Sequence, residues 1–263
     1  MRVRLRDFAM EYDDAGHGRP LLLIHGYPLN RTLWEMQLNG VSHAARVLAP
    51  DLRGHGLSEA TPGAYSTDLL AADCAAFLDA LGVSEPAVVC GLSMGGYVTF
   101  AFQRLYPERV AALVLTATRA APDSAEGKAA RDQAIATARA RGVGAIVEAA
   151  LPRMLSPKTV ASRPDVVDRV RRMMEATSLE GVLGDLAGMR DRADSRPGLA
   201  SIRCPTLIVH GTDDQLIPPS EAEAMEAGIA GSRLRLIASA GHLPNLEQPD
   251  AFNATLVEFL ETL

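Results

Sequence analysis

The chain has 263 residues, 48% hydrophobic and 22% charged, with a formal net charge of −6 and a sequence pI near 5.5. That length suits one α/β domain whose core needs no covalent staple. The acidic balance excludes a nucleic-acid binder, which needs a concentrated basic surface.

Three scattered cysteines, Cys74, Cys90 and Cys204, make neither a disulfide framework nor a CxxC metal pair. Residues 1–8 alternate charged and apolar side chains without the apolar stretch of a signal peptide, and no run approaches the length of a membrane span. The expectation is a cytoplasmic protein with no membrane partner. Oligomeric state is not legible.

In chain order, the apolar run 21–24 reads as a strand, and 45–49 as another that ends before Pro50-Asp51. Residues 69–81 carry apolar positions at helical spacing up to Gly82. A strand at 87–90, a helix at 94–106 closed by Pro107 and a strand at 110–115 follow. Near the end come a strand at 206–209, a helix at 220–228, a strand at 234–237 and a final helix at 251–263. This alternation predicts an α/β protein, a mostly parallel sheet with helices on both faces.

Between 116 and 204 the rhythm breaks. Helical patterns at about 126–141, 144–151, 164–176 and 179–189 replace the strand–helix alternation. A crossover between neighbouring strands needs only a dozen or so residues, so the surplus reads as an inserted helical lid. The expected division is core at 1–118, lid at 119–200 and core again at 201–263. The lid residues Met154, Leu155, Met173, Met174, Leu183 and Met189 suggest an adaptable apolar pocket, with packing within the lid the better reading for any single one of them. Arg169, Arg171 and Arg172 read as a solvated face with Asp165 and Asp168.

The chemistry concentrates in Gly91-Leu92-Ser93-Met94-Gly95-Gly96, between a strand and a helix. In that context G-x-S-x-G forms a sharp elbow that exposes a nucleophilic hydroxyl beside the positive end of a helix. Such a serine needs a base. Of six histidines, His242 alone sits on a loop between the last strand and the last helix; His25, His55 and His210 lie beside glycine at strand ends or turns, where local hydrogen bonding is the simpler reading. The base needs an acid to hold its tautomer, and the turn after strand 206–209 offers Asp213 and Asp214. The order serine, acid, histidine suits this layout. Oxyanion donors are expected at the N–H groups of Met94, directly after the serine, and of Tyr27, on the loop after the first strand; Pro28 cannot donate.

Together, His25-Gly26, the Asp51-to-Ser58 turn, the elbow, Gly211-x-x-Asp214-x-x-x-Pro218 and Gly241-His242 resemble the α/β-hydrolase fold family from end to end. Cys90 to Gly96 is similar to 3-oxoadipate enol-lactonases, and His25 to Trp34 resembles small esterases and cofactor-free perhydrolases. The resemblance implies a catalytic triad of Ser93, Asp214 and His242. The spacing between Gly211 and Pro218 selects Asp214 over Asp213, and Asp51 to Ser58 takes a structural role only. It also implies ester hydrolysis through an acyl-enzyme with no metal or organic cofactor. The expected partner is a small or medium apolar ester. A lactonase using the same residues is the alternative, and a small-ligand receptor that keeps the triad is a reading of another class.

Overall fold

The computed structural model describes residues 1–263. Its strands are β1 (Arg2–Arg4), β2 (Ala9–Ala15), β3 (Pro20–Ile24), β4 (Arg46–Pro50), β5 (Ala87–Leu92), β6 (Val110–Thr116), β7 (Thr206–Gly211) and β8 (Arg233–Ile237). They form one sheet in the order β1-β2-β4-β3-β5-β6-β7-β8. The first two pairings are antiparallel and the rest parallel. β3, β5 and β7 are buried at every position, as expected of parallel strands covered on both faces. Alternate side chains divide between the faces. Leu22, Ile24, Val89 and Leu113 point to one core, and Leu21, Leu23, Val88 and Val114 to the other.

Helices α1 (Glu35–Val41) and α11 (Pro249–Leu260) close the second face with Val41, Phe252 and Leu256. On the first face lie α2 (Thr67–Ala80), α3 (Met94–Leu105) and α9 (Pro219–Gly228), with Phe77, Phe102 and Met225. The short α10 (Pro244–Glu247) precedes α11. Between β6 and β7 run five helices and no strand: α4 (Ala125–Arg141), α5 (Val143–Met154), α6 (Pro157–Ser162), α7 (Pro164–Glu175) and α8 (Leu179–Arg190). Three begin at serine caps: the hydroxyls of Ser124, Ser156 and Ser178 accept the N–H groups of Gly127, Thr159 and Gly181. The cysteines are free, and no helix is long and apolar enough to cross a membrane.

α8 is bolted to the loop between β4 and α2. Gly181, Gly184 and Gly188 fall on one face of the helix, and against it lie the backbone of Gly54 and the ring and carbonyl of Tyr65. The Tyr65 N–H donates to Gly184 O at 2.9 Å, and Ser178 Oγ donates to Gly54 O at 2.8 Å. Beneath this contact His55 Nε2 lies 3.0 Å from Asp185 Oδ2, both side chains fully buried. His55 Nδ1 makes the local contact expected of it, to Arg53 O at 2.9 Å, and its other nitrogen reaches beyond the turn to Asp185. Arg169 also leaves the solvated face expected for it, donating to Thr32 O and Glu35 Oε2, each at 2.7 Å.

A methyl group added at Gly188 would overlap the backbone carbonyl of Tyr65, whereas one at Gly144 meets nothing within 4 Å. Gly188→Ala should cost about 1–3 kcal/mol and lower the melting temperature by several degrees. Gly144→Ala should be neutral or stabilising by up to about 1 kcal/mol. Calorimetry on the two variants checks this; equal melting temperatures would contradict the docking of α8.

Candidate active site

Parallel strands deliver their following loops to one edge of the sheet. There the turns after β3, β5, β7 and β8 meet. Ser93 stands between β5 and α3 with φ 55° and ψ −113°, a strained conformation for a residue with a side chain. Its hydroxyl makes no capping bond to α3 and so is not spent on the helix start. The strain is held from all sides. Ser93 N–H donates to Thr116 O at 2.8 Å, and Ser93 O accepts from Gly96 N–H at 2.9 Å and Thr118 Oγ1 at 2.8 Å. A side chain at Gly91 would collide with the Gly95 carbonyl, and one at Gly95 with Ile24 O. Cys90, just before the elbow, is no rival nucleophile: burial pushes its thiol up to about 12.

His242 Nδ1 lies 2.8 Å from Asp214 Oδ2. The acid belongs to the turn after β7, and its two oxygens divide their duties. Oδ1 accepts the N–H groups of Leu216 and Ile217 at 2.8 and 3.0 Å, while Oδ2 meets His242 and, at 3.3 Å, His210 Nε2. Burial alone would raise the Asp214 pKa. The charge of His242 and the hydrogen bonds from His210, His242 and Ile217 outweigh it and hold the carboxyl well below its usual range. Asp213 is exposed and accepts only from Thr212 Oγ1. Asp214, not Asp213, is thus also the residue that bonds its own turn.

The loop carrying His242 is fixed by a residue the sequence reading passed over. Glu247 is buried on α10; its Oε1 accepts Gly241 N–H at 2.7 Å and its Oε2 accepts Ser156 N–H at 2.8 Å. In sequence it looks like any acid on a surface helix. The Asp213 N–H to Ala240 O bond, 2.9 Å, ties the acid loop to the histidine loop.

On the loop after β3, the Tyr27 N–H has no partner within the protein, and Met94 N–H opens α3 with no preceding turn to accept it. His25 braces this loop: Nδ1 bonds Gly26 O and Nε2 accepts Leu52 N–H, each at 3.0 Å. Burial and the neighbouring His55 push its pKa well below the usual histidine value, in keeping with a neutral ring. Asp51 accepts from Arg31 N–H at 2.7 Å and Leu57 N–H at 2.9 Å, which makes it the clasp of its own turn.

Ser93 and His242 share a cavity of about 180 Å³ with Tyr27, Pro28, Tyr97, Arg119, Arg131, Ala150, Met154, Met189, Leu216 and Ile217. No hydrogen bond joins the Ser93 hydroxyl to His242, and His242 Nε2 has no protein partner; such contacts often tighten only when substrate arrives. Of the six candidate pocket residues on the inserted helices, Met154 and Met189 line this cavity, while Leu155, Met173 and Met174 are buried in the core. Arg119, Arg131 and Tyr97 line it without having been expected to. Arg119 follows β6 at the sheet edge where ligands bind, a position that could have flagged it. No group of three or more His, Cys, Asp or Glu side chains is arranged to hold a metal ion.

Comparison with known proteins agrees with this geometry. Residues 19–249 match the family model described as alpha/beta hydrolase fold. The chain is 39% identical to a thermophilic esterase from Thermogutta terrifontis, solved with malate bound, at a TM-score of 0.96 over 100% of this chain and 98% of that one. It is 30% identical to the enol-lactonase from Burkholderia xenovorans, at a TM-score of 0.92 over 99% and 100% of the two chains. Among curated sequences it is 30% identical to 3-oxoadipate enol-lactonase 2 of Acinetobacter baylyi, over 94% of this chain and 91% of that protein. With this match, an eight-stranded mostly parallel sheet and a serine at the strained strand-to-helix turn, the chain belongs to the α/β-hydrolase fold family and is an esterase-like hydrolase.

Proposed function

We propose that this hydrolase cleaves short carboxylic esters through an acyl-enzyme on Ser93. The observation that carries the reading is the Asp214–His242 pair at 2.8 Å, opening onto the cavity that exposes Ser93. Ser93 Oγ attacks the ester carbonyl and His242 Nε2 takes its proton. Asp214 Oδ2 accepts the Nδ1–H bond and so fixes the tautomer that leaves Nε2 free. The N–H groups of Tyr27 and Met94 hold the developing oxyanion. His242 then protonates the departing alcohol, and a water activated by the same nitrogen releases the acid.

The cavity, about 180 Å³, falls below the range of roughly 300–1,000 Å³ common for drug-sized ligands, which favours a short substrate over a long lipid chain. Residues 119–200 act as its lid: Ala150, Met154 and Met189 reach the cavity from α5 and α8. A lactone is the second reading, since a compact chamber suits a cyclic ester and two of the similar proteins are enol-lactonases.

Ser93→Ala should lower kcat on a short aryl ester by about a millionfold while circular dichroism stays unchanged, and a phosphonylating reagent should label Ser93 alone. Activity near wild type in that variant would end the reading.

Asp214→Asn should cost about four orders of magnitude in kcat, and Asp213→Asn far less. A crippled Asp213→Asn beside an active Asp214→Asn would move the acid by one residue.

Because Asp214 is held well below its usual range, it stays ionised through mildly acidic pH. The acid limb of kcat/KM then reports one imidazole. The base acts only when neutral, so activity should fall as pH drops. A profile flat between about pH 5 and 8 would count against His242.

A further inference from the structure

One wall of the cavity departs from the apolar pocket that its methionines suggest. Arg119 and Arg131 line it beside Ser93 and His242. Both reach the same buried carboxylate: Arg119 Nη2 donates to Asp123 Oδ1 at 2.6 Å and Arg131 Nε to Oδ2 at 3.0 Å. A third guanidinium, Arg192, already stands 2.8 Å from Oδ1; it is buried, donates to Ala121 O at 2.7 Å and stacks 4.1 Å from the Tyr97 ring. Arg192 suffices to neutralise Asp123. The other two positive charges are surplus to it.

The remaining acids nearby do not absorb that surplus. Asp214 is occupied by His242 and His210. Asp185 faces His55 at 3.0 Å and feels the charge of Arg131 through space, but makes no salt bridge to it. Glu221, on α9, makes no ion pair with Arg119, whose salt bridge is to Asp123. Donors are also left over. Arg131 commits only Nε to protein, so both its Nη groups are free, and Arg119 Nε and the Tyr27 hydroxyl are buried with no partner. A forked guanidinium with free N–H groups is suited to the paired oxygens of a carboxylate.

We propose that this wall is an anion subsite, and that the preferred substrate is an ester or lactone whose acyl part ends in a free carboxylate held by Arg131 with help from Arg119. The inference rests on the reading of Ser93 as nucleophile and adds the substrate's charge. The acyl chain lies along Ala150, Met154, Met189, Leu216 and Ile217 with its carbonyl at Ser93. Hydrolysis adds one water across the ester bond: an open ester yields an alcohol and a dicarboxylic acid, and a lactone yields a single ring-opened dicarboxylic acid.

The test compares monomethyl glutarate with methyl pentanoate, followed by methanol release at pH 7.5. Chain length is matched and only the terminal carboxylate differs. Wild-type enzyme should favour the charged ester by about tenfold or more in kcat/KM, the scale of a charge-assisted pair. Arg131→Gln should erase most of that preference, mainly through KM for the charged ester, and Arg131→Lys should restore part of it. If Arg131→Gln does not fold, Arg119→Gln reads the same ratio. A wild-type ratio at or below one, or a ratio unmoved in the folded variants, overturns the subsite. The two readings fail separately. Turnover of methyl pentanoate with no preference removes the anion subsite alone. Failure on both esters, with Ser93 unlabelled by phosphonate, removes the nucleophile assignment beneath it.

Discussion

A carboxylate taken out of water must find donors for both its oxygens, and this molecule turns that requirement into a way of fastening loops. Asp214 fastens its own turn with one oxygen and His242 with the other. Glu247 joins the histidine loop to Ser156 at the start of α6. Asp51 gathers Arg31 and Leu57 from separate loops, and Asp123 collects arginines from three segments. A buried donor stripped of its acceptor costs about 1–3 kcal/mol. Each acid therefore has two or more groups at stake and sets the shape of the segment around it. The loops at the sheet edge owe their order less to regular structure than to these four side chains.

Most of the sheet was legible because its central strands are continuous apolar runs bounded by turn residues. β1 and β2 escaped notice. They lie at the antiparallel end, where one face is open to water, and Asp13-Asp14 in β2 is a poor strand signal. The short helices α1, α6 and α10 show too few turns to reveal a period. The four longer helices in the 116–204 stretch were readable from their patterns, and serine caps mark the starts of two of them, α4 and α8, as well as of the short α6.

The proposed nucleophile, acid and base were legible because each sits in a local motif at a strand end. The residues around them were not. Glu247 becomes an internal clamp only when a loop folds back over it. Arg119 and Arg131 are twelve positions apart, one on a loop and one on a helix, and nothing local announces that they converge on Asp123. Met173 and Met174 illustrate the converse: a flexible apolar side chain on an inserted helix fits a pocket wall and a core equally well, and here packing placed both in the core. Pattern finds residues whose role is set by their neighbours in sequence, and it misses those whose role is set by a partner brought in from elsewhere.

The open ends of the sheet have a consequence for how copies of the protein meet. β1 carries Arg2 and Arg4, both paired with Glu59, and β8 carries Arg233 and Arg235, the latter paired with Glu258, so each unpaired rim presents a row of charged side chains. A strand rim with free backbone groups is a template for pairing with another chain, and charge along it is a common defence. Two such rims approaching each other would have to strip water from these ion pairs. In a crowded solution that desolvation cost disfavours growth of the sheet from one molecule into the next, even though Leu236 stands partly uncovered on β8.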